Sequence, residues 1–425
     1  MKIYRANLID TPTKDVFRVL KHGYIAVEDT GTIYGTYSDL PDELKSFPVE
    51  DLGDQMMIPG FCDMHVHAPQ YRNMGLALDL ELLPWLNTYT FPEESKFIDL
   101  KYAEHIYRRF VHELWMQGTM RSVVFATVHY PATKLLADLL VDSGLSSMVG
   151  QVGMNRNCPE YLSNTTETIV QGIRDLDAYL KQKSPDGHVR TIVTPRFVPT
   201  CSDEMMRRLG LLAKELNLNV QSHLSENRSE IAWVKELAPE SECYGDVYNR
   251  FGLFGQQPTL MAHCVHSEGK ELEMIKRQNV VVVHCPMSNM NLGSGLAPIR
   301  HFLDCGVHVA LGTDVSGGHN MSMLRAIQYA IQVSKYYYGI SGGKASFLSQ
   351  SEAFYLATTA GGSFFGKVGC FNPGYAFDAL VIDDHYLNYD NYTLEQRLER
   401  YFYLGDDRDI KRRFCNGKEL CEPKM

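Results

Sequence analysis

IPGFCDMHVHAPQY, residues 58–71, is an apolar run that ends in two histidines one residue apart, His65 and His67. Side chains at i and i+2 of a strand point to the same side, so a strand ending here turns two imidazoles toward one point. The pair alone decides little, because 15 histidines in 425 residues produce an H-x-H by chance roughly 0.5 times per chain. What decides the fold is that comparable runs recur along the chain and end in the same kind of residue.

Apolar, β-rich runs also occupy residues 120–129, 147–154, 189–200, 219–225, 258–266, 280–286 and 307–315. Between most of them lie stretches with helical period, such as YAEHIYRRFVHELWMQG, TTETIVQGIRDLDAYLKQ and DEMMRRLGLLAKELN. With residues 58–67 this alternation predicts an α/β protein whose parallel strands close into a (β/α)8 TIM barrel. Strands buried on both faces read as continuous apolar runs, as these do. The two ends depart from the alternation. Residues 1–57 and 366–425 carry short strands and turns, and GKVGCFNPGYAFDALVIDD reads as hairpins punctuated by Gly and Pro. The expectation is a small β-sandwich-like domain built from both termini beside a barrel of residues 58–365. GISGGKAS, residues 339–346, is one residue short of a phosphate loop and has Ala after the Lys, so it reads as an ordinary loop.

In such a barrel the active site lies at the C-terminal ends of the strands. The first strand ends in His65 and His67, the fifth in QSHLSE with His223 and Glu226, the sixth in MAHC with His263, and the eighth in LGTD with Asp314. Four histidines and an aspartate at one structural level point to a metal site rather than to packing. Imidazole with carboxylate suits Zn²⁺, with Fe²⁺ the alternative. The third and fourth strands have no Lys near their C-terminal ends, which disfavours a carbamylated lysine bridging two metals and favours one ion. H-x-E…P-C-x-x-C and H-E-x-x-H are both missing. Glu226 is read as a proton shuttle, with a helix-starting Glu beside a dipole as the bland alternative; Asp314 serves as ligand and base. Gln70 and the Arg196–Phe197 pair of TPRF face the same region. An Arg in an apolar strand is costly unless it meets an anion or an acceptor-rich ligand, and a structural salt bridge stays open as the second explanation. His284 is either a support for the metal site or a buried histidine. His129 is assigned to packing, and His105 and His112 to a helix.

The net charge of −10 argues against a basic nucleic-acid-binding face, and the KRRF cluster at 411–414 reads as solvated surface. No apolar run approaches the ~20 residues that span a bilayer, and MKIYRANLID does not read as a signal peptide. Ten scattered cysteines without a C-x-x-C read as reduced thiols of a cytoplasmic protein.

PGFCDMHVHAPQY, LLPWLNTYTFP, TPRFVPTCS, QSHLSENRSE, MAHC, HCPMSN and LGTDVSGG together resemble the guanine deaminases of the amidohydrolase superfamily, and YFYLGDDRDIKRRF extends the likeness toward the C-terminus. The metal motifs alone indicate the superfamily; HAPQY, TYTFPEE and TPRF narrow it. The resemblance implies one zinc ion, hydrolytic deamination of guanine to xanthine and ammonia, a cytoplasmic location and a homodimer. Position by position it implies His65, His67, His223 and His263 as ligands, with Asp314 completing the site and activating water. Glu226 is the shuttle, and Gln70, Arg196 and Phe197 line a purine pocket in which Phe197 or Trp85 covers the base. Pro69 stands where a small Ser or Ala is expected. The runner-up is a related deaminase or hydrolase acting on a pterin, an oxidised purine or a triazine. A non-catalytic barrel assembly protein should lack several ligands, and this chain lacks none.

Overall fold

Gly60 divides the opening stretch in two. Val49–Pro59 runs in a sheet shared by the chain ends, and Phe61–His67 is the first barrel strand. The expected strand 58–67 is therefore two strands meeting where a Cβ on Gly60 would lie 2.4 Å from Met120 Cγ. This computed structural model describes residues 1–344, 346–389 and 391–425. The expected loop at 339–346 includes Ala345, which lies outside the described residues; residues 341–343 form a turn.

The barrel continues through Thr119–Phe125, Ser146–Gly150, Val189–Thr191, Val220–Leu224, Thr259–His263, Val281–His284 and Val309–Leu311. They pair in parallel as two sets of four. A parallel bridge between Val193 and Val220 joins the sets on one side. On the other, Asp314 N donates to His65 O at 2.8 Å and His67 N to Val315 O at 3.1 Å, which closes the ring. The third and fourth runs are shorter strands than expected: Val152–Gly153 and Thr194–Pro195 form their own pair, and Val198–Thr200 is a helical turn. Pro195 and Pro199 lack the N–H that a continued ladder would need.

Helices cover the outside, each burying an apolar face. In Leu100–Met116 that face includes Ile106, Phe110 and Leu114, and the Asp99 side chain caps the start by accepting from Lys101 N. Ser202 caps Asp203–Leu216 in the same way, through Met205 N; such caps contribute about 1 kcal/mol each. Inside the barrel Cys62, Met64, Met148, Leu260, Val283 and Ala310 fill the lower interior. The ligand candidates thus stand above a packed core rather than a pore.

The strands from the two ends form one seven-stranded sheet in the order Lys418–Glu419, Ile410–Cys415, Ala379–Ile382, Val49–Pro59, Lys2–Asp10, Arg18–Val27, Ile33–Tyr37. It is a single sheet, where a sandwich-like pair was expected. Ile9, Met56, Ile58 and Ile410 join the main core. Tyr4, Leu8, Ile25 and Phe414 pack instead with Phe371 and Phe377 from a connecting segment, which takes the place of a second sheet. Buried Arg121 of the second barrel strand donates to Asp378 Oδ2 at 2.6 Å and ties barrel to sheet.

Candidate metal centre and active site

The expected ligands converge. His67 Nε2 is 3.2 Å from both His65 Nε2 and His223 Nε2. Asp314 Oδ1 lies 3.1 Å from His65 Nε2 and 3.3 Å from His67 Nε2, and its Oδ2 is 3.7 Å from His263 Nε2. One ligand atom from each of His65, His223, His263 and Asp314 falls within 4.8 Å of all the others. Backbone geometry contributes: His263 (φ 74°) and Asp314 (φ 48°) adopt left-handed conformations at the ends of their strands, as does Ser225 (φ 46°). Such conformations in residues with a Cβ cost about 1–3 kcal/mol each and gather at functional sites.

The tautomers are set from behind. The carbonyl of Arg196 accepts from His223 Nδ1 at 2.7 Å, and Asn289 Oδ1 from His263 Nδ1 at 2.9 Å. An oxygen acceptor requires the proton on Nδ1, which leaves Nε2 as a lone pair aimed at the centre. His263 Nε2 is buried and has no hydrogen-bond partner among the described residues. Burial pushes the His67 imidazole down to about 4 and His223 well below its usual range, with the neighbouring histidines adding to the effect. Burial works against ionised Asp314, yet the imidazoles around it hold its carboxyl well below the usual carboxylate range. Nε2 lone pairs set from behind on His223 and His263, beside the Asp314 carboxylate, form a donor set that suits a divalent cation, so these residues fit one ion.

Asp63 braces the centre. It accepts from Thr313 N at 2.9 Å, from the Thr313 hydroxyl and from His65 N at 3.3 Å, and burial pushes its carboxyl up to about 6. Glu226 Oε2 lies 3.4 Å from His263 Nε2, and Ser294 donates to Oε1 at 3.3 Å. Burial, then the charge of Asp314, raises Glu226 well above the ordinary range. Two carboxyl groups one ligand apart are thus driven in opposite directions, the pattern that separates an acid from a base.

A cavity beside the ligands is lined by Gln70, Trp85, Arg196, Phe197 and Glu226, with Leu292 also on its wall. Trp85 is anchored by its indole N–H on Leu76 O at 3.2 Å. Phe197 stands edge-on to Trp233, ring centres 6.5 Å apart. The Arg196 guanidinium lies 5.0 Å from the centre of the Phe91 ring. It also donates from Nη1 to Glu94 Oε2 at 2.6 Å, and Gln70 Nε2 donates to Glu94 Oε1 at 2.9 Å. The salt bridge left open for Arg196 therefore exists, and it stands at the cavity rather than away from it. Sequence reasoning missed Glu94, Asn289 and Ser294. Glu94 ends TYTFPEE and Asn289 ends HCPMSN, but no residue type in either motif announces which side chain turns inward, and Ser294 lies outside both.

His284 does not enter the ligand group. Among the described residues neither ring nitrogen has a partner, and burial holds it down to about 3. His129 precedes helix Tyr130–Ser143, and His112 on helix Leu100–Met116 meets Glu422 at 2.8 Å.

Residues 56–420 match the Amidohydrolase family. The chain belongs to that family. This amidohydrolase is 37% identical to the guanine deaminase of Dictyostelium discoideum over 99% of its own length and 98% of the relative's. It is 36% identical to that of Escherichia coli K12, over 90% and 86% of the two chains. The crystal structure of guanine deaminase from C. acetobutylicum with bound guanine superposes with a TM-score of 0.97 at 51% identity, covering 99% of this chain and 100% of that one. Family membership and the His/Asp group together make the centre of this amidohydrolase a divalent-metal site.

Proposed function

We propose that this amidohydrolase is a guanine deaminase, converting guanine and water to xanthine and ammonia. The observation that carries the reading is the Arg196 fork beside the ligand cluster. Guanine presents O6 and N7 as adjacent acceptors, and a guanidinium presents paired donors with matching geometry. Bound guanine in the C. acetobutylicum relative supports the same substrate here.

His65, His67, His223, His263 and Asp314 would hold one ion, zinc by the chemistry of the donor set, with iron the alternative. Such an ion acts as a Lewis acid and makes hydroxide available at neutral pH. Arg196 and Gln70 orient the purine, and Phe197 and Trp85 cover its faces and exclude water. Asp314 takes the proton of the attacking water at its carboxylate. Glu226, kept protonated by burial, delivers a proton to the ring nitrogen next to the attacked C2. Glu226 Oε2 then takes the remaining proton of the added water and passes it to the amine, which leaves as ammonia, and the proton held by Asp314 returns to Glu226.

The seven-stranded sheet we treat as a small domain of residues 1–57 and 366–425 beside a barrel of 58–365. Ten free cysteines fit a reducing, cytoplasmic setting, and no described helix is long and apolar enough to cross a membrane. A homodimer is the proposed assembly, measured by light scattering. The deciding experiment offers guanine, adenine, cytosine and isoxanthopterin to the metal-loaded protein and follows ammonia release. Turnover of guanine alone supports the reading. Turnover of isoxanthopterin in preference to guanine transfers it to the pterin alternative.

A further inference from the structure

Glu94 belongs neither to the ligand group nor to the proton relay, yet it is buried against two residues that line the cavity. Its two carboxylate oxygens go to different residues, Oε1 to Gln70 and Oε2 to Arg196. It ends the short helix Phe91–Glu94, whose first residue lies against the Arg196 guanidinium. One four-residue stretch therefore grips both Gln70 and Arg196. The far end of the Gln70 amide is fixed as well, because Ser316 N donates to Gln70 Oε1 at 3.1 Å. Glu93, next in the chain, turns away to Lys96 and Tyr102.

We propose that Glu94 is the positioning residue that sets specificity in the cavity: it aligns Arg196 and Gln70 and cancels the Arg196 charge, so the site selects a neutral lactam edge over an anionic group. The proposal rests on the guanine reading above. Stability alone is a poor explanation for the pair, since buried ion pairs are often replaceable by apolar residues without loss. Arg196 has five N–H donors, and only the contact from Nη1 to Glu94 engages a protein side chain among the described residues. Arg196 lines the cavity, so its remaining donors are available to a ligand there. With the guanidinium paired to the Glu94 carboxylate they are offered without net charge, which suits the uncharged O6 and N7 acceptors of guanine. Without Glu94 an uncompensated guanidinium in a dry cavity would favour a carboxylate ligand.

The test uses the full-length, metal-loaded enzyme with Glu94→Gln and Glu94→Ala. Guanine kcat/KM should fall on the order of 10²-fold in Glu94→Gln, the cost of misplacing a positioning group by about 1 Å. 2-Aminopurine, which lacks the 6-oxo group, should lose much less, and metal content should not change. Purine-6-carboxylate, measured by calorimetry, should bind both variants on the order of tenfold more tightly than it binds the wild type. A purely structural role cannot produce that gain. Equal losses for guanine and 2-aminopurine, or weaker binding of the carboxylate by both variants, would overturn the proposal. If the wild type leaves guanine untouched, the guanine reading is lost, while the carboxylate comparison still decides the role of Glu94.

Discussion

Replacing Glu226 by Gln isolates the proton relay from substrate binding. The side chain is buried, and its Oε1 holds the Ser294 hydroxyl at 3.3 Å, a contact the amide oxygen of Gln retains. Shape and that anchor survive; the ability to carry a proton does not. General acid–base groups typically supply about 10²–10⁴-fold, which is about 2.7–5.4 kcal/mol of barrier. The loss should appear in kcat, with KM for guanine little changed. The amide nitrogen takes the place of Oε2, 3.4 Å from His263 Nε2, so metal content is measured in parallel. Stability moves the other way. In the metal-free protein Glu226 has its pKa raised above that of the unfolded chain by burial. Its contribution is fully present below the unfolded value and is lost as pH rises through the folded one, because the unfolded chain sheds its proton first. Gln does not titrate, so the metal-free variant should melt no lower than the wild type at neutral pH and with a flatter dependence on pH. The assay is ammonia release at saturating guanine, with metal analysis and thermal melting on the same preparations. Retained kcat with a raised KM would refute the reasoning and make Glu226 a binding residue only.

Chelation should abolish deamination while leaving the circular dichroism of the barrel in place, because the packed interior lies below the ligands; global unfolding on chelation, or full activity without metal, contradicts this. Metal at ~1,000 times its dissociation constant should raise stability by about 4 kcal/mol. Arg196→Met should lower guanine kcat/KM by up to ~10⁴ and 2-aminopurine far less. It should also cost about 3–5 kcal/mol of stability, since buried Glu94 loses its opposite charge and keeps only the Gln70 amide; equal activity losses would reassign Arg196 to the scaffold. Glu230 is buried, and burial followed by the Glu226 charge pushes its pKa up to about 7 from 4.5. Stability should therefore decline between those pH values by on the order of 3 kcal/mol, and denaturant titrations of Glu230→Gln should show that decline removed.

The grouping of candidate ligands was legible because two periodicities coincide with residue type: apolar runs mark barrel strands, and each candidate ligand falls where its run ends. The same logic could not see Gly60, since Ile58 and Pro59 are as apolar as the strand that follows and only the crowding against Met120 reveals the break. Alternation at the chain ends said that strands were half-buried but not what buries them, and the cover proved to include a connecting segment rather than a second sheet. Glu94 was hidden for a different reason. It lies 102 residues from Arg196 and 24 from Gln70, and FPEE reads equally well as a helix start with two acids near a dipole. Which of Glu93 and Glu94 turns inward depends on the course of the chain after Trp85, which no local pattern specifies. The acceptors behind the ligands divide along the same line. A histidine that binds metal through Nε2 needs an oxygen on Nδ1, so His223 and His263 each imply a partner. For His223 that partner is the backbone carbonyl of Arg196, which any residue at 196 would supply and which therefore leaves no mark in the sequence. For His263 it is the side chain of Asn289. The demand is equal at both histidines, but only at Asn289 does it constrain an amino acid, and so only there can a substitution release the tautomer while leaving every candidate ligand in place.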